Sequence, residues 1–344
     1  MIDRELGLLP FRQRLPWLGG DLQTLRDTLR PVDLPPESGN PVLIDVPALA
    51  SGAAQAGQLL ALLDLPGSTP QGLVLLLHGL GGSSSREGLR RMGAALRNAG
   101  FAVLRLNLRG ADPGRHLAGG TYAARCNSDL LPVIARARQL ADGRPLLGAG
   151  ISLGGTMLLN ACLSDATLLD GLFCASSPLD LAACSASIER PRNRLYQHWL
   201  LKRLVRQTAA DPFGLSKNEE RILCGETPPT TIRAFDTAIT APRWGYADVE
   251  DYYRKASPLP HLSSGQPESW PSTLLLQALD DPRVPAAAAM QLEQSQAPDG
   301  PLKFVFTRRG GHNGFHGQAG CWGDQLAVAW LSRQSDGLEH SQER

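Results

Sequence analysis

Between residues 73 and 175 the chain alternates short apolar runs with longer amphipathic stretches. The runs at 73–77, 102–106, 146–150 and 171–175 are almost continuously apolar, with no polar residue at every second place. That pattern belongs to strands buried on both faces, as in a parallel sheet. The stretches between them predict helices over 86–98, stopped by Gly100, then 128–141 and 155–163. Strand–helix alternation of this kind predicts an α/β fold, with helices on both faces of a largely parallel sheet.

The alternation ceases from 179 to 260, where helical and polar stretches follow one another without a convincing strand. It resumes with a strand at 273–278, a helix after Pro285, a strand at 303–306 and a last helix over 321–332. The expected organisation is an irregular arm (1–40), a core in two parts (41–178 and 261–334), an inserted helical cap (179–260) and a frayed polar tail (335–344). The first core segment is predicted to open with a hairpin, 41–46 against 58–65.

Composition narrows the function classes. At 344 residues, 42% hydrophobic and 19% charged, the chain suits one α/β domain with an insertion. A net charge of +1 gives no electrostatic reason to expect nucleic acid as a partner. No apolar run nears the roughly 18 residues that span a bilayer, and no integral membrane segment is expected. The opening residues Met1-Ile2-Asp3-Arg4 are charged too early for a secretory signal. The six cysteines, at 126, 162, 174, 184, 224 and 321, show no C-x-x-C and no metal-ligand spacing. They are expected to be reduced, which points to a cytoplasmic location. No metal or other cofactor is expected.

The chemistry concentrates where a strand runs into Gly150-Ile151-Ser152-Leu153-Gly154 and an apolar helix follows at once. A serine on a sharp strand-to-helix turn has crowded neighbours, and glycines on both sides remove the side chains that would clash. Serine is a weak nucleophile near neutral pH and needs a base, itself oriented by a carboxylate. Both follow in the order Ser, acid, His. Asp281 lies in the acidic turn after the 273–278 strand, and His312 lies after Gly310-Gly311, beyond the 303–306 strand. Asp280 and His316 are rivals for the same roles. Asp281 is favoured because it opens an Asp-Pro turn, His312 because it directly follows the paired glycines. The loop His78-Gly79-Leu80-Gly81-Gly82 would supply an oxyanion hole through the Leu80 amide, together with that of Leu153. His78 reads as a brace for this loop.

Further stretches carry a resemblance. These are Pro16-Trp17-Leu18 running to Leu25, then Asn107-Leu108-Arg109-Gly110 with Tyr122 and Asp129 downstream. In the cap they are Phe235-Asp236, Thr240-Ala241-Pro242, Gly245-Tyr246 and Tyr252-Tyr253. With the elbow, they resemble the YheT-like α/β-hydrolases, a branch that includes lipid-directed esterases and acyltransferases. The resemblance covers about residues 8–331. It implies the α/β-hydrolase fold, an eight-stranded type of sheet with a helical cap, and Ser152, Asp281 and His312 at the triad positions. It implies a small-molecule ester as substrate, cleaved through an acyl-enzyme on Ser152. Transfer of the acyl group to an alcohol is the alternative, and a non-catalytic binding protein on the same scaffold a weaker one. The loop at 111–117 and the Leu80-Gly81-Gly82 turn depart from the branch's pattern beside the pocket, which weakens any transfer of substrate preference. The cap stretch 190–206 mixes Arg190, Arg192, Arg194, Lys202, Arg203 and Arg206 with Tyr196, Trp199, Leu200 and Leu204. The favoured expectation is an apolar stripe packed over the site with a solvated basic face. Peripheral contact with lipid is the alternative.

Overall fold

The apolar runs assemble into one eight-stranded sheet. The computed structural model describes residues 2–225 and 228–342. Its strands are β1 (Asn40–Val46), β2 (Gly57–Asp64), β3 (Leu73–Leu77), β4 (Ala102–Leu106), β5 (Leu146–Ile151), β6 (Gly171–Ala175), β7 (Ser272–Ala278) and β8 (Leu302–Thr307). Their order is β1-β2-β4-β3-β5-β6-β7-β8. The expected hairpin β1–β2 is antiparallel, as is β2 against β4, and every other pairing is parallel.

Strand periodicity sorts the side chains onto two faces. Leu73, Leu75 and Leu77 enter one core, roofed by the helices Asn127–Ala141 and Leu153–Ser164. Val74 and Leu76 enter the other, beneath the helix Glu87–Asn98 and the last helix. All five residues are buried, which explains the absence of polar alternation.

Two expectations at the ends of the chain are corrected. The arm is not irregular, because residues Gly19–Leu29 form a helix. It docks through polar side chains, burying Gln23 and Arg26 while Leu22 and Leu29 stay exposed. Gln23 is satisfied from afar: its Nε2 donates to Trp17 O and His316 O, and its Oε1 accepts from His316 N. The last helix, Trp322–Gln342, continues through most of the stretch expected to fray. Ser335 within it is fully buried and donates to Gln71 O at 2.7 Å, tying the helix to the start of β3.

Among the described residues, the connection between β6 and β7 contains helices and no strand. Leu181–Ile188, Lys217–Cys224 and Val249–Ala256 begin at side-chain caps from Asp180, Ser216 and Asp248. The longest cap helix, Arg194–Ala209, buries Tyr196, Leu200, Leu201 and Leu204. With Ile188, Phe235 and Ile239 these form a separate apolar cluster. Among the described residues no helix is long and apolar enough to cross a membrane.

Candidate active site

The chain turns from β5 into the helix Leu153–Ser164 at a single residue, Ser152, with φ 55° and ψ −125°. A positive φ is costly for a residue with a side chain and persists only when its surroundings enforce it. Here the enforcement is close packing. A Cβ on Gly150 would lie 2.3 Å from Gly155 N, and one on Gly154 would lie 2.5 Å from Leu77 O. The backbone is also pinned, with Ser152 N donating to Ala175 O at 2.8 Å.

Three side chains then form one line. Ser152 Oγ is 3.0 Å from His312 Nε2, and His312 Nδ1 is 2.9 Å from Asp281 Oδ2. The other Asp281 oxygen accepts from the amides of Arg283 at 2.8 Å and Val284 at 3.0 Å. Those contacts fix the carboxylate within the turn that follows β7. Asp280 faces elsewhere and braces the histidine loop by accepting from Gly311 N at 2.9 Å. His316 lies apart from Ser152, paired with Asp27 at 3.1 Å. Burial works to raise the Asp27 carboxyl, but His316 and Arg91 beside it hold it well below the usual carboxylate range. Burial lowers His316 against the pull of Asp27.

The loop after β3 arches over the serine. A Cβ on Gly79 would lie 2.8 Å from Ser152 Cβ, so only glycine permits that approach. Leu108 N donates to His78 Nε2 at 3.3 Å, which makes Nε2 an acceptor and leaves Nδ1 to donate to Gly79 O at 2.8 Å. Burial holds this imidazole down at about 4, despite the Gly79 carbonyl, so it is neutral near pH 7. The brace expected of His78 is therefore visible in its contacts. Gly81 N donates to Tyr122 OH at 2.6 Å and Gly82 N to Gly79 O at 3.0 Å. Among the described residues the Leu80 amide donates to no protein group. The Leu153 amide opens its helix, where an N–H has no intrahelical acceptor.

The arm is the participant that sequence reasoning missed. Thr24 Oγ1 accepts from His312 N at 2.8 Å and donates to Gly20 O at 2.7 Å. The approach is close enough that a Cβ on Gly311 would lie 2.2 Å from Gly20 O. Pro16 to Leu25 stood out as a family mark, but nothing local signals contact with a loop 288 residues away.

Arg109 anchors the loop after β4. It is fully buried, reaches Asp129 with two bonds of 2.8 and 2.7 Å, and donates to Gly119 O and Pro47 O. Asn107 Oδ1 accepts from Ser84 N at 2.9 Å, steadying the neighbouring loop.

Above Ser152 the cap overhangs a half-open cavity of about 300 Å³. Leu80, Leu153, Leu181, Ile188 and Leu200 line it, so its character is mainly apolar. Asp236, in a five-residue π turn (Asp236–Thr240), also lines it. Tyr253 OH donates to Asp236 Oδ2 at 2.9 Å. Burial pushes the Asp236 carboxyl up to about 6, against hydrogen bonds from Thr240 and Tyr253. The apolar stripe of Arg194–Ala209 packs inward as expected, but its basic face is not wholly solvated, since Arg203 turns to the cavity. Among the described residues no three His, Cys, Asp or Glu side chains cluster as metal ligands.

A serine elbow on such a sheet, with a histidine and a carboxylate in line, defines a class, and comparisons with known proteins agree. Residues 74–320 match the alpha/beta hydrolase family. YheT from Escherichia coli is 30% identical over 253 residues, covering 71% of this chain and 70% of that protein. The chain belongs to the alpha/beta hydrolase family, in its YheT-like branch. The human phospholipase ABHD3 is 31% identical over 248 residues, 70% of this chain, and the match spans 58% of its length. Among solved structures, a lipase in its open form superposes with a TM-score of 0.53 at 18% identity, covering 86% of this chain and 99% of that one. That likeness supports the fold.

Proposed function

We propose that the protein is a serine hydrolase that cleaves carboxylic esters. The observation that carries this reading is the hydrogen-bonded line Ser152–His312–Asp281, at 3.0 and 2.9 Å, with the serine raised on a positive-φ turn. In the mechanism, His312 Nε2 takes the Ser152 proton as Oγ attacks the ester carbonyl. Asp281 fixes the imidazole with its N–H on Nδ1 and steadies the imidazolium that forms. The Leu80 and Leu153 amides receive the developing oxyanion, a contribution of several kcal/mol to barrier lowering. Collapse expels the alcohol, which takes the proton from His312. Water activated by His312 then releases the acid and restores Ser152.

An apolar cavity over the serine suits an acyl chain. Relatives named phospholipase and monoacylglycerol lipase support ester chemistry of this kind. The test is a series of p-nitrophenyl acetate, butyrate and octanoate with Ser152→Ala alongside. Turnover should fall by at least about a thousandfold in the variant, and unchanged turnover would overturn the assignment. Fluorophosphonate labelling of the wild type, absent in Ser152→Ala, should give the same answer without a substrate.

A further inference from the structure

Buried arginines in this molecule have carboxylate partners. Arg109 meets Asp129, Arg105 meets Asp64, Arg91 meets Asp324, Arg115 meets Asp211 and Arg243 meets Glu219. Arg203 and Arg283, half-buried in the wall of the Ser152 cavity, have none. Among the described residues neither makes an ion pair or a side-chain hydrogen bond, and the Nε of each is buried without an acceptor.

The two side chains are nevertheless held in place. The Arg203 guanidinium sits 4.6 Å from the centre of the Trp199 ring, and that of Arg283 sits 5.6 Å from the same ring and 4.9 Å from Tyr196. Aromatic faces position a cation but do not supply the hydrogen-bond acceptors that a guanidinium fork needs. The nearby carboxylates are already engaged. Asp281 is held by His312 and by the Arg283 and Val284 amides, and Asp236 by Tyr253. Burial lowers Arg283, with Asp281 opposing, so the site disfavours an uncompensated charge there.

Both side chains line the cavity that holds Ser152 and His312. Arg203 Nε lies 3.5 Å from where a Cβ on Gly81 would sit, next to the Leu80 amide. Arg283 follows Asp281 by two residues in the acid turn. They flank the space above Ser152 from the cap and from the sheet.

We propose that Arg203 and Arg283 form a subsite for a compact oxyanion, phosphate or carboxylate, carried by the substrate within a few bonds of its scissile ester. The substrate is then an amphiphile whose acyl chain lies along the apolar wall while its anion meets the two forks. Assignment of the anion to a substrate rests on the ester-hydrolase reading; the binding of an anion does not.

The experiment uses three butyryl esters: neutral 1-butyrylglycerol, 1-butyrylglycerol 3-phosphate and 3-butyryloxypropanoate, with released butyrate as readout. At least one anionic ester should exceed the neutral one in kcat/KM by tenfold or more, and which one does identifies the anion. In the double variant Arg203→Gln with Arg283→Gln that ratio should fall at least tenfold, while Arg203→Lys with Arg283→Lys should retain most of it. A ratio near one, or a ratio unchanged in the double glutamine variant, would overturn the proposal. If the double variant does not fold, the two single variants should each show a smaller fall in the same ratio. Calorimetric titration with glycerol 3-phosphate, 3-hydroxypropanoate and glycerol separates the two readings. If no ester is cleaved, the hydrolase reading fails. The subsite then stands if an anion binds the wild type but not the double glutamine variant, and falls if neither anion binds.

Discussion

Two parts of the molecule, the frame around the sheet and the Ser152 cavity, treat charge in opposite ways. In the frame the buried arginines are spent on carboxylates: Arg109 on Asp129, Arg105 on Asp64 and Glu37, Arg91 on Asp324 and Asp27. These ties hold the loops that carry Leu80 and the arm. In the cavity wall, Arg203 and Arg283 lie against aromatic rings without an ion-pair partner. A paired buried charge explains itself by the segment it fixes. An unpaired one is disfavoured by desolvation, so its explanation lies with whatever enters the cavity.

The contrast makes mutation outcomes differ between frame and cavity. Arg109→Ala should cost most, about 3–5 kcal/mol of stability, because it leaves Asp129 buried and uncompensated. Urea unfolding would measure it, and a loss below about 1 kcal/mol would break the comparison for the frame.

Asp236→Asn should act next, and with a pH signature. The Asp236 carboxyl sits at about 6 in the folded chain against an ordinary value of 3.8. Its stabilising form is therefore the protonated one, favoured below the unfolded value, and that advantage is lost as pH rises through about 6. The asparagine variant should gain on the wild type between pH 4 and 7, by up to about 3 kcal/mol. Thermal melts at pH 4.5 and 8 would check this, and a pH-independent difference would contradict it.

Thr24→Val removes the acceptor for the His312 amide without touching the triad. Ester turnover should drop by about tenfold, equivalent to ~1.4 kcal/mol on the barrier, with the melting temperature nearly unchanged. The smallest effect on stability belongs to Arg203→Gln, which gives up only a stacking contact of under about 1 kcal/mol. A large destabilisation there would mean that the arginine serves the fold after all.

Much of the fold was legible because its signals are local. A strand buried on both faces must read as a continuous apolar run, and β3, β4 and β6 do so at their predicted residues. The alignment of Ser152, Asp281 and His312 was legible for a related reason. Each follows a strand in its own recognisable turn, and the parallel sheet brings those strand ends together. What escaped depends on partners remote in sequence. The helix Gly19–Leu29 docks through Gln23 and Arg26 while its helically spaced Leu22 and Leu29 stay exposed, so hydrophobic periodicity points to the wrong face. The tail residue Ser335 is polar, yet its burial is satisfied by Gln71 O, 264 residues earlier. The unpaired state of Arg203 and Arg283 was equally hidden, since a sequence counts charges without saying which of them meet.

The contact between Thr24 and His312 has a consequence for the order in which the molecule matures. During synthesis the arm emerges 288 residues before the loop that it steadies. Until that loop exists, Gly20 and Thr24 have nothing to hold, and the elbow at Ser152 has no base beside it. The sheet can grow strand by strand, whereas the chemistry must wait for the chain to return to its own beginning. A nascent polypeptide that has folded through β7 would thus carry a shaped nucleophile and no means to use it. Competence arrives in one step, when an early segment and a late one close on each other.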